Sequence, residues 1–206
     1  MNHKNLIILI FIALIGLASS QKPFYSIKFV YDGDTILTNT GQKVRYLGID
    51  APEIGYRERK SEFLAVAARD ENIRLVKKRK VTLEFDRERM DQYGRLLAYV
   101  YLENGEMVNA HLIRKGLAHV AVKLPNLKYL QPLLHLQRLA MEERIGIWKA
   151  PEGSAEAFYL GNNKSYRFHR PNCAFGRKTG SNHRLRFSSR KEAFWEGFSP
   201  CSKCQP

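Results

Sequence analysis

A cluster of acidic residues surrounds one arginine in the segment YDGDTILTNTGQKVRYLGIDAPE, residues 31–53. The acids and the arginine are Asp32, Asp34, Asp50, Glu53 and Arg45. Hard cations such as calcium take oxygen ligands from carboxylates and carbonyls. Cleavage of a phosphodiester needs such a cation, a base that activates water, and donors that stabilise the charge on the phosphorane oxygens. The residue types in this segment therefore match the needs of phosphodiester cleavage.

Short strands must position these side chains. Residues 24–31, 35–39 and 43–49 are rich in β-branched and aromatic residues and are separated by Asp-Gly and Thr-Gly turns. This pattern predicts three strands. Asp34 lies at the start of one strand and Asp50 at the end of another, so a sheet can bring the two carboxylates to one cation.

The spacing of Arg45 and Asp50 makes a demand on the backbone. The two residues are five apart and would face opposite ways on a regular strand. We therefore expect a bulge or bend near Gly48 that re-aims one of them. Glu53 follows three residues after Asp50, past Pro52, where its carboxylate can reach a water held by the cation.

The following segments predict further strands and helices. Apolar periodicity predicts helices over residues 61–78, 106–115 and 127–144. Alternation predicts strands over residues 81–85 and 95–102. Five short strands with helices between and after them are typical of a small closed barrel of the OB type. We therefore expect an α+β fold, a five-stranded OB-fold barrel with three helices, followed by a small C-terminal module.

Charge indicates the class of partner. The chain has 206 residues and a formal charge of +14, which favours a polyanion such as nucleic acid. A merely soluble basic surface is the alternative. Residues 159–206 hold ten Lys/Arg against two Asp/Glu. This segment is more basic per residue than the rest, which suggests a separate unit.

Residues 1–20, MNHKNLIILIFIALIGLASS, have the pattern of a secretory signal peptide. Lys4 supplies the positive start, residues 6–17 are apolar, and Ala18 and Ser20 form a small-x-small cleavage site. The apolar run is shorter than the ~20 residues that a spanning helix needs, which argues against a membrane anchor. We therefore expect an exported protein, periplasmic or extracellular, that is free of the membrane after cleavage.

Three motifs carry a resemblance to a known family. DGDT, RYLGIDAPE and DQYGRLLAYVYLENGEMVNAHLIRKGLAHV occur in this order and resemble the thermonuclease (staphylococcal nuclease-like) family over residues 25–148. The resemblance implies an OB-fold barrel that binds calcium and hydrolyses DNA and RNA to products with 3′-phosphates. Endonucleolytic attack is expected, because an open barrel face does not require a chain end. We also expect a monomer.

The resemblance implies a role for each residue of the cluster. Asp34 and Asp50 would be the calcium carboxylates. Glu53 would be the general base, or the residue that orients the attacking water. Arg45 and Arg95, the latter from YGRLLAY, would hold the phosphate and stabilise the transition state.

Other positions match the family less closely or act from further away. Asp32 would support the metal ligands without binding the ion itself. Tyr93 would stack on the substrate or contact its phosphate. Ala51 stands where the family has threonine, whose backbone carbonyl is a metal ligand, so alanine can still serve. Gln92 replaces a lysine, and Val122 and Leu124 stand where the family has tyrosines that pack on the nucleotide. Stacking on an aromatic ring is worth ~1–3 kcal/mol, so we expect weaker nucleotide binding.

The three cysteines lie in the C-terminal segment. Cys201 and Cys204 form a C-x2-C pair, and Cys173 follows His169 by four residues. Two close pairs of such ligands match a tetrahedral structural zinc site. The alternatives are a disulfide with a third free thiol, which an oxidising compartment would favour, and His183 as the fourth ligand.

The segments YRFHRPNCAF and RLRFSSRKEAFWEGFSPCSKC resemble the metal-binding module of the Ada methylphosphotriester repair protein. The likeness covers residues 159–204 and includes a helix that opens with a capping box, Ser189 to Glu192. In Ada all four zinc ligands are cysteines, and the first accepts the methyl group. His169 stands at that position, so the resemblance implies a zinc-stapled module that binds nucleic acid or a partner, without repair activity.

These patterns together divide the chain into four regions. We predict a signal peptide over residues 1–20, a thermonuclease-like domain over residues 21–149, a linker over residues 150–158 and a zinc module over residues 159–206.

Two alternatives stay open. The chain could be a nucleic-acid-binding module without catalysis, although inactive relatives of the fold typically lack the acids and arginines that are present here. The C-terminal segment could instead contact another protein or anionic envelope polymers. The remaining histidines in regular patterns, His111, His119 and His135, are predicted to be packed or solvated.

Overall fold

A computed structural model describes residues 22–150 and 156–206. The predicted signal peptide, residues 1–20, lies outside the described residues, and so does most of the predicted linker, residues 151–155. Within the described ranges, none of the helices combines the length and the apolar character that a bilayer crossing requires.

Five strands of the N-terminal part close into a barrel. The strands of this part are β1 (Phe24–Val30), β2 (Thr35–Thr38), β3 (Lys43–Tyr46), β4 (Ile49–Asp50), β5 (Lys80–Glu84), β6 (Leu96–Leu102) and β7 (His119–Val120). The barrel order is β1-β2-β3-β6-β5, and β4 pairs with β7 outside it. The β3–β6 pair is parallel, and the other barrel pairs are antiparallel. The predicted five-stranded OB-type barrel is confirmed.

Three helices of this part pack against the barrel. They are α1 (Ala65–Val76), α2 (Val108–Arg114) and α3 (Leu130–Glu142), and a 3-10 helix follows over Gly146–Lys149. Their apolar faces join the strands in one core, whose fully buried members include Ile36, Val44, Leu112 and Leu133. The three predicted helices are therefore present, and their packing supports the strands that carry the acidic cluster.

The start of α1 differs from the prediction. A helix was predicted from residue 61, but α1 begins at Ala65. Ser61 Oγ accepts a hydrogen bond from Gly55 N at 3.0 Å, and Glu62 Oε2 accepts one from Glu53 N at 3.0 Å. Because these side chains bind the loop that precedes the helix, their residues hold that loop closed and do not extend the helix.

The C-terminal part forms a second, smaller sheet. Its elements are β8 (Tyr159–Asn162), β9 (Arg167–His169), α4 (Ala174–Arg177), a 3-10 helix (Ser181–His183), β10 (Arg184–Phe187), α5 (Arg190–Trp195) and β11 (Ser199–Pro200). The sheet order is β10-β8-β9-β11. Ser189 caps α5 by accepting a hydrogen bond from Glu192 N. The Glu192 carboxylate accepts from Ser188 N rather than from Ser189 N, so the predicted capping box forms in half.

The small sheet shares its core with α3. Met141 of α3 packs in one buried cluster with the aromatic rings of the C-terminal part. Gln137 Nε2 donates to Phe194 O at 2.5 Å, and Arg138 Nε donates to Trp195 O at 3.0 Å. The two parts are therefore in direct contact through α3, while the predicted domain boundaries stay predictions.

A buried asparagine fixes the turn that leads to Asp50. Asn109 on α2 is fully buried. Its Oδ1 accepts from Val100 N at 2.9 Å, and its Nδ2 donates to Leu47 O at 2.8 Å. Buried backbone groups must be paired, and this one side chain satisfies two of them. Asn109 therefore ties β6 and α2 to the bend between β3 and β4.

A second buried asparagine holds the loop that carries Asp34. Asn72 on α1 accepts a hydrogen bond from Tyr46 Oη at 2.9 Å and donates to Asp32 O at 3.1 Å. The loop between β1 and β2 is thereby fastened to both α1 and β3. Each arm of the acidic cluster is thus fixed to a helix by a buried amide.

We expect Asn109→Ala to lower the free energy of unfolding by about 2 kcal/mol or more, because it leaves two buried backbone groups without partners. Urea unfolding followed by circular dichroism measures the change. Asn104→Ala is the matched control, since Asn104 is exposed, and it should cost less than about 1 kcal/mol. Equal losses in the two variants would contradict the role assigned to Asn109.

Candidate active site

Asp34 is the buried centre of the acidic cluster. Its side chain accepts hydrogen bonds from Ala51 N at 2.6 Å and from Thr35 Oγ1 at 3.0 Å. Its backbone amide donates to Asp32 Oδ1 at 2.9 Å. Arg45 Nη1 forms an ion pair with Asp34 Oδ2. The carboxylate is therefore held from β2, from β3 and from the segment after β4.

A glycine permits the close packing behind Asp34. A Cβ placed on Gly33 would lie 2.6 Å from the Cβ of Ala51 and 2.9 Å from the Cβ of Ala68 on α1. Both distances are too short for a side chain, so only glycine lets the loop pack on these alanines. Gly33 thus brings the Asp34 loop and the segment after Asp50 together.

Asp50 meets Asp34 at the same guanidinium. Arg45 Nη2 contacts Asp50 Oδ1 at 2.6 Å while Nη1 contacts Asp34. β3 ends at Tyr46, and Gly48 has a φ of 77°, a backbone conformation that glycine adopts without strain. The bend that the five-residue spacing demands is therefore present, and it turns Asp50 toward Arg45.

Electrostatics at this cluster favour a further positive charge. Burial raises the pKa of Asp34, and the charges of Asp32 and Asp50 raise it further, while Arg45 opposes the shift. Burial alone would lower the pKa of Arg45, but the surrounding acids outweigh it and raise that pKa. Four carboxylates thus act on one guanidinium, and two of them, Asp34 and Asp50, contact it directly.

The donor set fits a hard divalent cation. Asp34 and Asp50 present oxygen ligands from two directions, and a cation between them would ionise Asp34 and offset the excess negative charge. Arg45 Nη1 is buried against Asp34 Oδ2, and Nη2 contacts Asp50 Oδ1. A cation that drew these carboxylates toward itself would free the guanidinium to donate to a phosphate. The residues present therefore fit a metal ion with a phosphate beside it.

Glu53 lies in the loop between β4 and α1. Its backbone amide is fixed by Glu62, and its side chain is exposed toward a cleft that Asp50 also lines. Partial burial of the carboxyl raises the pKa of Glu53, and Asp32 and Asp50 raise it further, against Arg45. A carboxylate with a raised pKa beside a cation site can act as a proton acceptor.

Arg95 and Tyr93 lie on the other side of Arg45. A cleft of about 410 Å³ is lined by Arg45, Asp50, Tyr93 and Arg95, with Gln92 and Val122 nearby. Arg95 Nε pairs with Asp91 Oδ2 at 2.7 Å. The structure therefore brings both arginines and the tyrosine to one cleft, with Arg95 held by a neighbouring carboxylate.

Two further residues lie near Asp50, and the sequence motifs assign a role in the site to neither. Arg167 of β9 places Nη1 at 3.9 Å from Asp50 Oδ2. His119 pairs with Asp50 between β7 and β4, and its ring packs on Phe194 at 5.2 Å between centroids. Burial lowers the pKa of His119, which favours the neutral form of its ring. The contacts of Arg167 with Asp50 and of His119 with Phe194 depend on docking of the C-terminal sheet, which local patterns do not encode.

The other histidines described in the barrel part, His111 and His135, lie outside the clefts beside Asp50. His111 bridges Glu106 and Glu71, with ring nitrogens at 2.6 Å and 2.7 Å from their carboxylates. His135 is exposed on α3. Neither lies among the residues that line the two clefts beside Asp50.

A second cluster of ligating atoms lies in the C-terminal part. The donor atoms of His169, Cys173, Cys201 and Cys204 all lie within 4.8 Å of one another, and the three cysteines are free thiols. His183 instead has Nδ1 at 3.0 Å from Asn163 Oδ1. The structure thus assembles the predicted four ligands, and this sulfur and nitrogen cluster can hold a metal ion.

Comparison with known proteins identifies relatives of the barrel part. The family model described as staphylococcal nuclease homologue matches residues 43–150. A thermonuclease of Staphylococcus hyicus is 35% identical over 136 residues, which cover 65% of this chain and 80% of that protein. A thermonuclease of Staphylococcus intermedius is 36% identical over 128 residues, 61% of this chain and 76% of that protein. Endonuclease YncB of Bacillus subtilis is 41% identical over 122 residues, 57% of each chain.

These matches confirm the predicted family resemblance, and the C-terminal cluster is compatible with a metal-binding module. The family model covers the barrel from β3 to the 3-10 helix after α3. The chain belongs to the staphylococcal nuclease family, and it is a nuclease of the hydrolase class.

Proposed function

We propose that the protein is an exported, calcium-dependent nuclease that hydrolyses phosphodiester bonds of DNA and RNA with little sequence preference and leaves 3′-phosphates. The observation that carries this proposal is the convergence of Asp34 and Asp50 on the guanidinium of Arg45. Two carboxylates that meet at one guanidinium support a hard cation with a phosphate beside it. Asp34 and Asp50 would hold the calcium ion.

Glu53 is the residue that we assign as general base. Its raised pKa moves the carboxylate toward the range in which a base works well at neutral pH. Glu53 accepts the proton of the attacking water from the cleft that it shares with Asp50. Calcium, when bound, supplies the positive charge that neutralises the phosphate.

Arg45 and Arg95 bind the phosphate from the facing cleft. A guanidinium fork can donate two hydrogen bonds to one phosphate group, and its charge stabilises the transition state. Arg95 exchanges its Asp91 partner for the substrate. A 3′-phosphate product requires the bond from phosphorus to the 5′-oxygen to break, so the attacking water adds opposite that oxygen.

Contacts to phosphate explain the expected lack of sequence preference. Phosphate contacts position a strand but carry no base information. Tyr93 is 75% exposed, and an exposed ring stacks on any base. Neither kind of contact excludes RNA or DNA. We therefore assign both polymers as substrates, and we propose that the protein acts as a monomer.

The C-terminal cluster is proposed to hold zinc in a structural role. One imidazole and three thiolates complete a tetrahedral shell, which leaves no open position for catalysis. The ligands come from the end of β9, from the start of α4 and from the segment after β11. A bound zinc ion would therefore join β9 and β11, neighbouring strands at one edge of the small sheet.

We expect purified protein to cut plasmid DNA and RNA with calcium and to lose this activity with a calcium chelator. Glu53→Gln should lower kcat by about 10²–10⁴-fold, the usual contribution of a general base. The matched control is Glu58→Gln, which changes an exposed glutamate of the same loop and should keep full activity. Binding of DNA without any cutting by the unmodified protein would favour the alternative of a binding module.

We expect the purified chain to contain about one zinc ion, because four ligands fill a single tetrahedral shell. Elemental analysis measures the metal, and a thiol reagent measures free cysteines. Cys204→Ser should lose the zinc, whereas Ser202→Ala in the same segment should retain it. A mass that shows two cysteines joined in a disulfide would contradict the assignment.

The export proposal rests on residues 1–20 and makes a separate prediction. Expressed with its own N-terminus in a bacterium, the protein should appear in the periplasm or the medium and begin at Gln21. Mass spectrometry of the purified protein measures the start. A variant without residues 2–20 should stay in the cytoplasm, and a full-length protein that begins at Met1 there would refute export.

A further inference from the structure

The C-terminal sheet docks on the strand that neighbours Asp50. Val120 of β7 donates its backbone N–H to Gln137 Oε1 at 2.6 Å, and Gln137 in turn donates to Phe194 O. Ser199 Oγ donates to Val120 O at 3.1 Å. Since β7 pairs with β4, the C-terminal sheet is fastened directly beside the proposed calcium ligand.

This docking creates a cleft that the barrel does not have alone. The cleft has a volume of about 950 Å³, at the upper end of the ~300–1,000 Å³ typical of ligand sites. One wall is the loop from Asp50 to Glu62, and the other wall comes from β9, α5 and the C-terminal segment after β11. We call it the interdomain cleft.

The lining of the interdomain cleft suits a nucleic-acid strand. Basic side chains come from both walls, and they are Arg59, Lys60, Arg167 and Arg190. Trp148 and Phe194 add aromatic rings. Three acids also line it, Asp50, Glu53 and Glu62. Two of these belong to the proposed reaction centre, and Glu62 is held by Glu53 N and by Arg59.

Two buried donors in the lining lack partners. Trp148 Nε1 and Arg190 Nε have no hydrogen-bond partner among the described residues. Buried donors are rarely left unpaired in native proteins. Both side chains are only partly buried as a whole, so a strand in the cleft can contact their exposed atoms, and a small side-chain shift would let the two N–H groups reach a phosphate or base oxygen.

The interdomain cleft continues into the cleft of Arg45 and Arg95. Asp50 and Arg167 line both spaces. Arg167 Nη1 lies 3.9 Å from Asp50 Oδ2 and also donates to Pro200 O at 3.2 Å. A strand whose reacting phosphate lies beside Arg45 therefore has a path past Arg167 into the interdomain cleft.

We propose that the interdomain cleft binds the continuation of a single nucleic-acid strand beyond the reacting phosphate. Arg167 contacts the neighbouring phosphate, Arg190 contacts a phosphate further along, and the Trp148 ring packs against a base. Single strands are favoured because their bases are free to stack on aromatic side chains. This inference rests on the proposed function, and it assigns the C-terminal part to substrate binding.

The test compares substrates of two lengths. For the unmodified protein and for Arg190→Ala, kcat/KM is measured on a dinucleotide and on a single-stranded twelve-nucleotide DNA. The length ratio is kcat/KM on the twelve-nucleotide strand divided by kcat/KM on the dinucleotide. We expect Arg190→Ala to lower this ratio by about fivefold, which is the contribution of a partly exposed ion pair. The salt slope on the longer strand should fall by about 0.7, the value for one lost phosphate contact on a single strand.

The matched control is Arg177→Ala. Arg177 is exposed on α4 and lines neither cleft, so this variant removes the same charge from the same part of the chain. It should preserve both the length ratio and the salt slope. An equal drop in Arg177→Ala and Arg190→Ala would overturn the cleft assignment, because general charge would then account for the effect.

A binding measurement separates failure of this inference from failure of the proposed function. In a Glu53→Gln background, fluorescence anisotropy of labelled single strands measures affinity without cutting. Weaker binding of long strands by Arg190→Ala would support the cleft even if the unmodified protein cut nothing. Normal cutting with an unchanged length preference in Arg190→Ala would overturn the cleft and leave the nuclease assignment intact. If Arg190→Ala lowered the affinity for duplex DNA as much as the affinity for single strands, the restriction to single strands would be overturned.

Discussion

The burial of Asp34 beside Arg45 is the constraint on which the rest of the site depends. A buried carboxylate is costly unless charge and hydrogen bonds offset the loss of water. The Ala51 amide, the Thr35 hydroxyl and the Arg45 guanidinium supply these contacts. They come from three separated segments of the chain. The carboxylate therefore stays compensated only while β2, β3 and the segment after β4 keep their positions, and this requirement explains the small residues and buried amides around it.

The balance of charge around Asp34 and Arg45 links the stability of the site to its function. Arg45 holds two aspartates at once, and one guanidinium does not neutralise the whole cluster. Burial raises the pKa of Asp34, and the charges of Asp32 and Asp50 raise it further, so the excess negative charge is a cost in the metal-free protein. The same excess becomes a source of affinity when a cation arrives. A site that is strained by repulsion between its own acids is in this sense prepared for a metal ion.

Most of the barrel and the acidic cluster could be predicted because both follow from local patterns. Strands follow from β-branched and aromatic runs, and the bend at Gly48 follows from the spacing of Arg45 and Asp50. The predicted start of α1 was wrong because the side chains of two residues assigned to the helix bind the preceding loop. Periodicity does not show such a contact. Arg167 could not be predicted near Asp50, since its place depends on how the C-terminal sheet docks on α3.

The cluster of His169 and the three cysteines also affects how the C-terminal sheet docks on α3. A domain of roughly 60 residues or fewer is marginal on its own core, and metal binding adds directly to folding free energy. His169 ends β9, and Cys201 follows β11, which pairs with β9 in parallel. An ion held by both would lock these strands together and keep Arg167 against Pro200. Metal in this part of the chain would therefore act on the nuclease through the wall of a cleft, at a distance from the reacting phosphate.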